Sequence, residues 1–345
     1  MFPFYFNHKK WNLNGLSKPK INNSVGKIFL NYNMPTIQDI ENAYQRIRPF
    51  IHRTPVLTNA SLNESSGAEL FFKCENFQKA GSFKIRGATN TVLQLTQKEL
   101  DRGIATASSG NHGAALSMAV RNRGGKTKVV MPNNTPKIKV DNVERNGGEI
   151  IWCEPAQKSR ELVLKELLAE TGAVLVHPYN DDRIIAGQGT AALELLEDYP
   201  DLDTIVSPVS GGGLLSGTLC SSKEMKKGII VYGAEPAEAD DAYRSLELGE
   251  IQVNETTNTI CDGLRAQIGS VTFPIIKEKV DGIITVTENE IIDSMRMIWE
   301  RMKIIVEPSS TITLAAILKR KELFKGQKVG LILSGGNVDL TKLPF

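Results

Sequence analysis

Lys84 sits in Gly81-Ser82-Phe83-Lys84-Ile85-Arg86-Gly87, between an aromatic residue and glycines, at the opening of a helical stretch. Lysine is the side chain that condenses with an aldehyde to a Schiff base, and burial lowers its pKa toward neutrality. A lone lysine beside a turn is ordinarily solvated, so this motif needs partners elsewhere in the chain. Ser108-Ser109-Gly110-Asn111-His112-Gly113 follows an apolar run at 104–107 and precedes a helical stretch at 114–121. Hydroxyls and free N–H groups at a helix start can hold a carboxylate, and two serines with Asn and His exceed what a plain turn requires. Ser210-Gly211-Gly212-Gly213-Leu214 opens another helix, where three glycines let successive N–H groups converge on one oxyanion. No Gly-Lys-Ser/Thr follows, and the GxGxxG spacing with its distal acid is missing, so a phosphate outside a nucleotide fits best. Ser334-Gly335-Gly336-Asn337 ends the series; a hydroxyl there can hydrogen-bond a neutral heterocyclic nitrogen, which a carboxylate would instead keep protonated.

Such segments must be presented together by a frame, and the chain has the pattern of one. Short β-branched runs at 69–73, 104–107, 128–131, 149–153, 173–176, 204–207, 229–234, 282–286 and 328–333 read as strands. Between them, 159–170, 184–196 and 288–302 carry apolar residues three and four apart, the period of a helix. Runs apolar on both faces, such as 128–131, suit parallel strands covered by helices. The alternation predicts an α/β fold of open, mostly parallel sheets, and strand, Gly-rich turn, helix is how such a sheet presents a ligand site at its carboxyl edge. An ordered start is expected at Thr36, an N-cap with Asp39 three residues on and Ile37, Ile40, Tyr44 and Ile47 at helical spacing. No repeat or low-complexity linker is visible, so any second domain is expected to be inserted in the first.

Composition narrows the class. With 41% hydrophobic and 23% charged residues the chain reads as ordinary and globular, and no apolar run reaches the roughly 18 residues of a membrane span. Cys74, Cys153, Cys220 and Cys261 are far apart and read as reduced thiols, which predicts a reducing, cytoplasmic location. His8, His52, His112 and His177 are equally scattered, against a transition-metal cage. The net charge of +2 owes itself to Lys9, Lys10, Lys18, Lys20 and Lys27, in a stretch before Met34 that holds no acidic residue. The remainder is slightly acidic and has no basic face for nucleic acid. Residues 1–33 read as a disordered leader, or as the product of a start upstream of Met34; a mitochondrial presequence, which favours arginine, is the lesser alternative.

In this order, the four segments resemble the fold-type II pyridoxal-phosphate enzymes, in the branch of serine racemases and short serine/threonine dehydratases. The resemblance runs from about Thr36 to Leu343 and includes His52-Arg53-Thr54-Pro55-Val56-Leu57, Ile185-Ala186-Gly187-Gln188-Gly189-Thr190 and Leu333 to Leu340. It implies a tryptophan synthase beta-like fold, with 34–79 and 176–345 forming a larger cofactor domain and 80–175 a smaller one. It implies that Lys84 carries pyridoxal phosphate and that Phe83 lies behind its ring. Asn111 would bond the ring hydroxyl, Gly211, Gly212, Gly213 and Leu214 the phosphate, and Ser334 the ring nitrogen. Ser108, Asn111, His112 and Arg160 would hold the carboxylate of a small hydroxyamino acid. Lys84 and Ser109 would be the two proton-transfer groups, with Ser109 deciding between elimination and racemisation. Ser210 departs from the glycine often found at the head of the phosphate loop. Glu235-Pro236-Ala237-Glu238-Ala239-Asp240-Asp241 is similar to the family's divalent-cation site, with Glu235, the Ala239 carbonyl and Asp241 as ligands to Mg, Mn or Ca. The implied activity is dehydration of L-serine and L-threonine with serine racemisation, or dehydration of 3-hydroxyaspartate; a homodimer is expected.

Overall fold

The computed structural model describes residues 34–108 and 110–345, so the leader and Ser109 lie outside the described residues. Thr36 caps the helix Ile37–Ile47 through a reciprocal capping box with Asp39, as its spacing predicts, and Ile40, Ala43 and Ile47 are its buried stripe. The same box, Thr287 with Glu290, starts the helix Glu288–Met302.

Among the described residues ten strands form: β1 (Val56–Leu57), β2 (Glu69–Cys74), β3 (Ile104–Ala107), β4 (Thr127–Pro132), β5 (Gly148–Cys153), β6 (Val174–Leu175), β7 (Thr204–Pro208), β8 (Ile230–Pro236), β9 (Gly282–Val286) and β10 (Lys328–Leu333). All nine expected runs are among them. The run at 173–176 shortens to β6, which pairs with β3 only at Ile104 and Ala105. The one addition is β1, two residues too short to show a period, which lies antiparallel on β2.

Strands β1-β2-β10-β7-β8-β9 make one sheet and β5-β4-β3-β6 another. Apart from β1 every neighbour pair is parallel, which is the expected α/β class. β7 is buried along its whole length, and so is all of β10 after Lys328, because helices cover both faces. Phe72, Val206, Ala234, Leu331 and Leu333 pack in one core with Ile312 and Leu314 of the helix Pro308–Lys319. Each large aliphatic or aromatic side chain so buried contributes about 1.5–3 kcal/mol.

The helices Lys84–Leu93 and Asp182–Asp198 touch backbone to backbone. A Cβ on Gly187 would lie 2.5 Å from the Gly87 Cα, so no other residue fits there. A buried charge cluster adds to this seam. Arg86 bonds Glu75 and Glu194, while Lys73 bonds Glu194 and the Thr54 carbonyl, all at zero side-chain exposure. Glu75 stays below its usual carboxylate range although burial alone would raise it, because Arg86 and Lys73 face it.

Candidate active site

Parallel pairing puts the carboxyl ends of β2, β10 and β7 side by side, with β10 between the other two. Three of the four expected segments follow those ends, and the turn at 108–113 follows β3 of the other sheet. Gly81 to Lys84 runs against the turn after β10: Phe83 N donates to the Ser334 carbonyl at 3.0 Å, and Gly336 N to the Gly81 carbonyl at 2.9 Å. Lys84 and Ser334 are therefore neighbours although 250 residues separate them.

Lys84 opens its helix with Nζ donating to the Pro178 carbonyl at 3.0 Å and lying 5.1 Å from the Phe83 ring centre. It has no ion pair among the described residues. Burial pushes its pKa down to about 8, against the opposing pull of the Glu307 charge. A usable share of the amine is then unprotonated near neutral pH, as a nucleophile requires.

Asn111, at the start of the helix Asn111–Arg121, donates to Glu307 Oε1 at 2.7 Å and accepts from Asn337 Nδ2 at 2.9 Å. Ser334 Oγ is buried 3.2 Å from Ser310 Oγ. Ser108 Oγ accepts from Gly110 N and Gly113 N, so it shapes its own turn and keeps its hydrogen to donate. His112 is turned inward, with Nε2 3.4 Å from the Val176 carbonyl, and burial holds its pKa well below the ordinary value. Its side chain thus meets the strand ends, leaving the backbone of its turn to face a ligand. Arg160 lies half-buried in the helix Gln157–Thr171, close enough to Tyr179 for its charge to be felt there.

The glycine loop leads into the helix Gly213–Met225, which has no side-chain cap, so its first-turn N–H groups lack the usual capping acceptor. Gly212 has φ +91°, and a Cβ on Gly211 would lie 2.5 Å from the Tyr179 ring. Leu214 is buried in the first turn. Ser210 replaces glycine without strain, since Ala80 and Lys303 are the only non-glycine residues with positive φ among those described. Its hydroxyl donates to the Ala266 carbonyl and accepts from Ala266 N, tying the loop to 266–269. Thr272 Oγ1 and Gly269 N hold the Gly211 carbonyl.

Glu235 and Asp241 are both buried. Glu235 accepts from Ala242 N and Tyr243 N, and Asp241 from Asn254 Nδ2 and Ile268 N. Burial and the Asp241 charge push Glu235 well above its usual range. Two repelling buried carboxylates are a donor set that a hard cation would relieve, and Glu235 alone also holds first-turn N–H groups of the helix Asp241–Leu248. Among the described residues no group of three or more His, Cys, Asp or Glu is placed to hold a metal, so any cation here would rely on these two, the Ala239 carbonyl and water.

Some of the site was not foreseen. Glu307 is buried beside Lys84 and Lys139, its pKa raised by burial. Lys139 pairs with Asp262 beside the Gly110 turn. His177, Pro178 and Tyr179 follow β6, and the rule that ligands meet strand ends would have flagged them. Pro308 marked Glu307 as a helix start, but nothing local tied it to Lys84.

These residues suit a phosphorylated pyridine aldehyde. A desolvated amine, an uncapped glycine-lined helix start, and amide and hydroxyl groups around Lys84 are in place. Among the described residues Glu307 Oε2 and Ser82 Oγ are buried with no hydrogen-bond partner, the state of polar groups that a polar ligand satisfies.

Comparison with known proteins agrees. The family model described as pyridoxal-phosphate dependent enzyme matches residues 47–335. A serine racemase of Dictyostelium discoideum is 51% identical over 312 residues, covering 89% of this chain and 96% of that protein. A beta-hydroxyaspartate dehydratase of Paracoccus denitrificans is 48% identical, covering 90% of this chain and 99% of that one. A solved threonine deaminase from T.th. superimposes with a TM-score of 0.85 at 41% identity, over 89% of this chain and all of that one.

Proposed function

The chain belongs to the pyridoxal-phosphate-dependent enzyme family, and on that premise we propose that it dehydrates small hydroxyamino acids, L-serine to pyruvate and L-threonine to 2-oxobutanoate, with serine racemase activity. The observation that carries this reading is the Lys84 amine, desolvated and bonded to a backbone carbonyl instead of a counter-charge. The racemase and dehydratase relatives support both outcomes.

When bound, pyridoxal phosphate supplies an electron sink for the carbanion left at the substrate α-carbon. We assign Phe83 to the back of its ring, Asn111 to its hydroxyl, Gly211 to Leu214 to its phosphate, and Ser334 to its ring nitrogen. A hydroxyl at that nitrogen leaves it unprotonated, and Ser310 holds the hydroxyl in place. Lys84 then takes the α-proton: its lowered pKa keeps the amine free, and Pro178 orients it. The turn at Ser108, Asn111 and His112, with Arg160, holds the carboxylate. Ser109 is assigned the opposite face, where returning a proton makes the D-amino acid. Glu235, Asp241 and the Ala239 carbonyl are assigned a divalent cation, Mg, Mn or Ca. Through Ile268 and Gly269, Asp241 steadies the Gly211 carbonyl and hence the phosphate loop.

A second reading, dehydration of 3-hydroxyaspartate, is favoured by the Paracoccus relative and by Lys139, a cation beside the Gly110 turn. Among the described residues no helix is long and apolar enough to cross a membrane. The four buried, unpaired cysteines support a reducing, cytoplasmic setting, and we expect a homodimer of two-domain subunits, one domain around each sheet.

Incubation with L-serine, L-threonine and 3-hydroxyaspartate in turn, with keto acid and D-serine measured, ranks these activities. Absence of both products from serine and threonine overturns the leading reading. Ser109→Ala should keep pyruvate formation and lose D-serine.

A further inference from the structure

The turn after β6 carries an imidazole to which the resemblance assigns nothing. The Val176 carbonyl meets His112 at 3.4 Å and the Pro178 carbonyl meets Lys84 Nζ at 3.0 Å, with His177 between them. His177 Nδ1 accepts two backbone N–H groups, from Tyr179 at 3.3 Å and from Asn180 at 2.9 Å. A ring nitrogen that accepts carries no hydrogen, so the neutral ring holds its proton on Nε2. Charging the ring would break both bonds. Burial and the Lys84 charge accordingly hold its pKa down to about 4. Among the described residues nothing accepts from Nε2, and the half-buried ring keeps that donor for a ligand.

Its position follows from two further contacts. The His177 ring meets the Tyr179 ring edge-on at 4.6 Å, and the Tyr179 ring packs on Gly211 of the phosphate loop. The turn therefore fills the interval from the Lys84 amine to that loop. A substrate whose α-proton passes to Lys84 must bring its α-carbon to the same amine. Its carboxylate is assigned to the turn at 108–112, which leaves the β-carbon and its oxygen. A neutral N–H suits an uncharged hydroxyl, and it binds more strongly as that oxygen gains negative charge on departure.

We propose that His177 touches the substrate, its Nε2–H donating to the β-oxygen of the hydroxyamino acid and selecting for substrates that carry one. This rests on the dehydratase reading above.

His177→Asn tests it. The Asn Oδ1 replaces Nδ1 as acceptor for the two backbone N–H groups and so preserves the turn, while the distal donor is lost. Two rates are compared: pyruvate formation from L-serine, and exchange of the α-hydrogen of L-alanine in D2O, which has no β-oxygen. The ratio of the first to the second should fall at least about tenfold. An unchanged ratio, whether both rates hold or both fall, overturns the proposal. A second measurement needs neither cofactor nor variant. The 15N ring shifts of the cofactor-free enzyme should show His177 neutral with its proton on Nε2 down to about pH 5, one unit above its pKa of about 4; an Nδ1-protonated or charged ring also overturns it. Failure of the dehydratase reading would appear in the wild-type enzyme, as alanine exchange without elimination from any hydroxyamino acid, and would take this proposal with it.

Discussion

Arg86 uses all five of its N–H donors inside the protein: two on Glu75, two on Glu194 and one on Thr190. Replacing it with methionine keeps much of the volume and removes the charge. Lys73 remains bonded to Glu194, so Glu75 is left with only the Thr54 hydroxyl and one buried negative charge goes unbalanced. Breaking a fully buried pair in this way costs about 3–5 kcal/mol. At about 2 °C per kcal/mol for a fold of this size, Arg86→Met should lower the Tm by roughly 6–10 °C in calorimetry at about pH 7.5. The sign of the pH dependence follows. In the native protein Glu75 has a lowered pKa, so its contribution is present above the unfolded carboxylate pKa and lost as pH falls through the folded one. In the variant its folded pKa is raised, so its penalty is absent at low pH and grows as pH rises. The gap between the two proteins should therefore narrow toward about pH 5. Adding Glu75→Gln to Arg86→Met restores neutrality and should recover at least half the loss. A single variant within about 1 kcal/mol of wild type, or a double variant no better than the single, would refute the account.

Three further outcomes are expected. Lys84 in the cofactor-free enzyme should react with an aldehyde with a midpoint near pH 8, not the 10.5 of an ordinary solvated lysine; Glu307→Gln, which removes the charge that raises it, should move the midpoint lower, and a shift upward contradicts the electrostatics. Gly211→Ala places a Cβ on the Tyr179 ring, so spectroscopic titration should show cofactor affinity lost at least about tenfold, partly regained on adding Tyr179→Ala. Calcium or magnesium at about 100 times its Kd should stabilise the enzyme by about 2.7 kcal/mol, and Glu235→Gln should abolish that increment in a thermal melt; an unchanged response excludes Glu235 as a ligand.

Much of this molecule is legible locally. Thr36 with Asp39 marks a helix start because a cap and its box lie within one turn. The nine strands are readable because β-branched runs bounded by turns specify extended backbone wherever they occur. The Lys84, Ser108, Gly211 and Ser334 segments stand out because each directly follows such a run or opens a helix, and α/β sheets place ligands at strand ends. Ser210 is the instructive intermediate. Its type departs from the pattern in the sequence, but its use, a reciprocal pair with Ala266, needs a segment 56 residues away.

The order of strands, by contrast, is set by which apolar faces cover which, and no local window contains it. Because β10 inserts between β2 and β7, Ser334 comes to lie beside the Lys84 segment and near the end of β7, where the glycine loop begins. Protonation states depend on the same long-range choice. Pro178 and Lys84 are 94 residues apart, Asn111 and Glu307 are 196, Arg86 and Glu194 are 108. Residue types and local spacing singled out Lys84, the glycine loop at 211–213 and the elements that carry them. Only the tertiary structure decided that the lysine loses its water, that Glu307 faces it, and that His177 Nδ1 accepts from the backbone of its own turn. Burial and Coulomb interactions act through space, and the chain acquires those distances only when it packs.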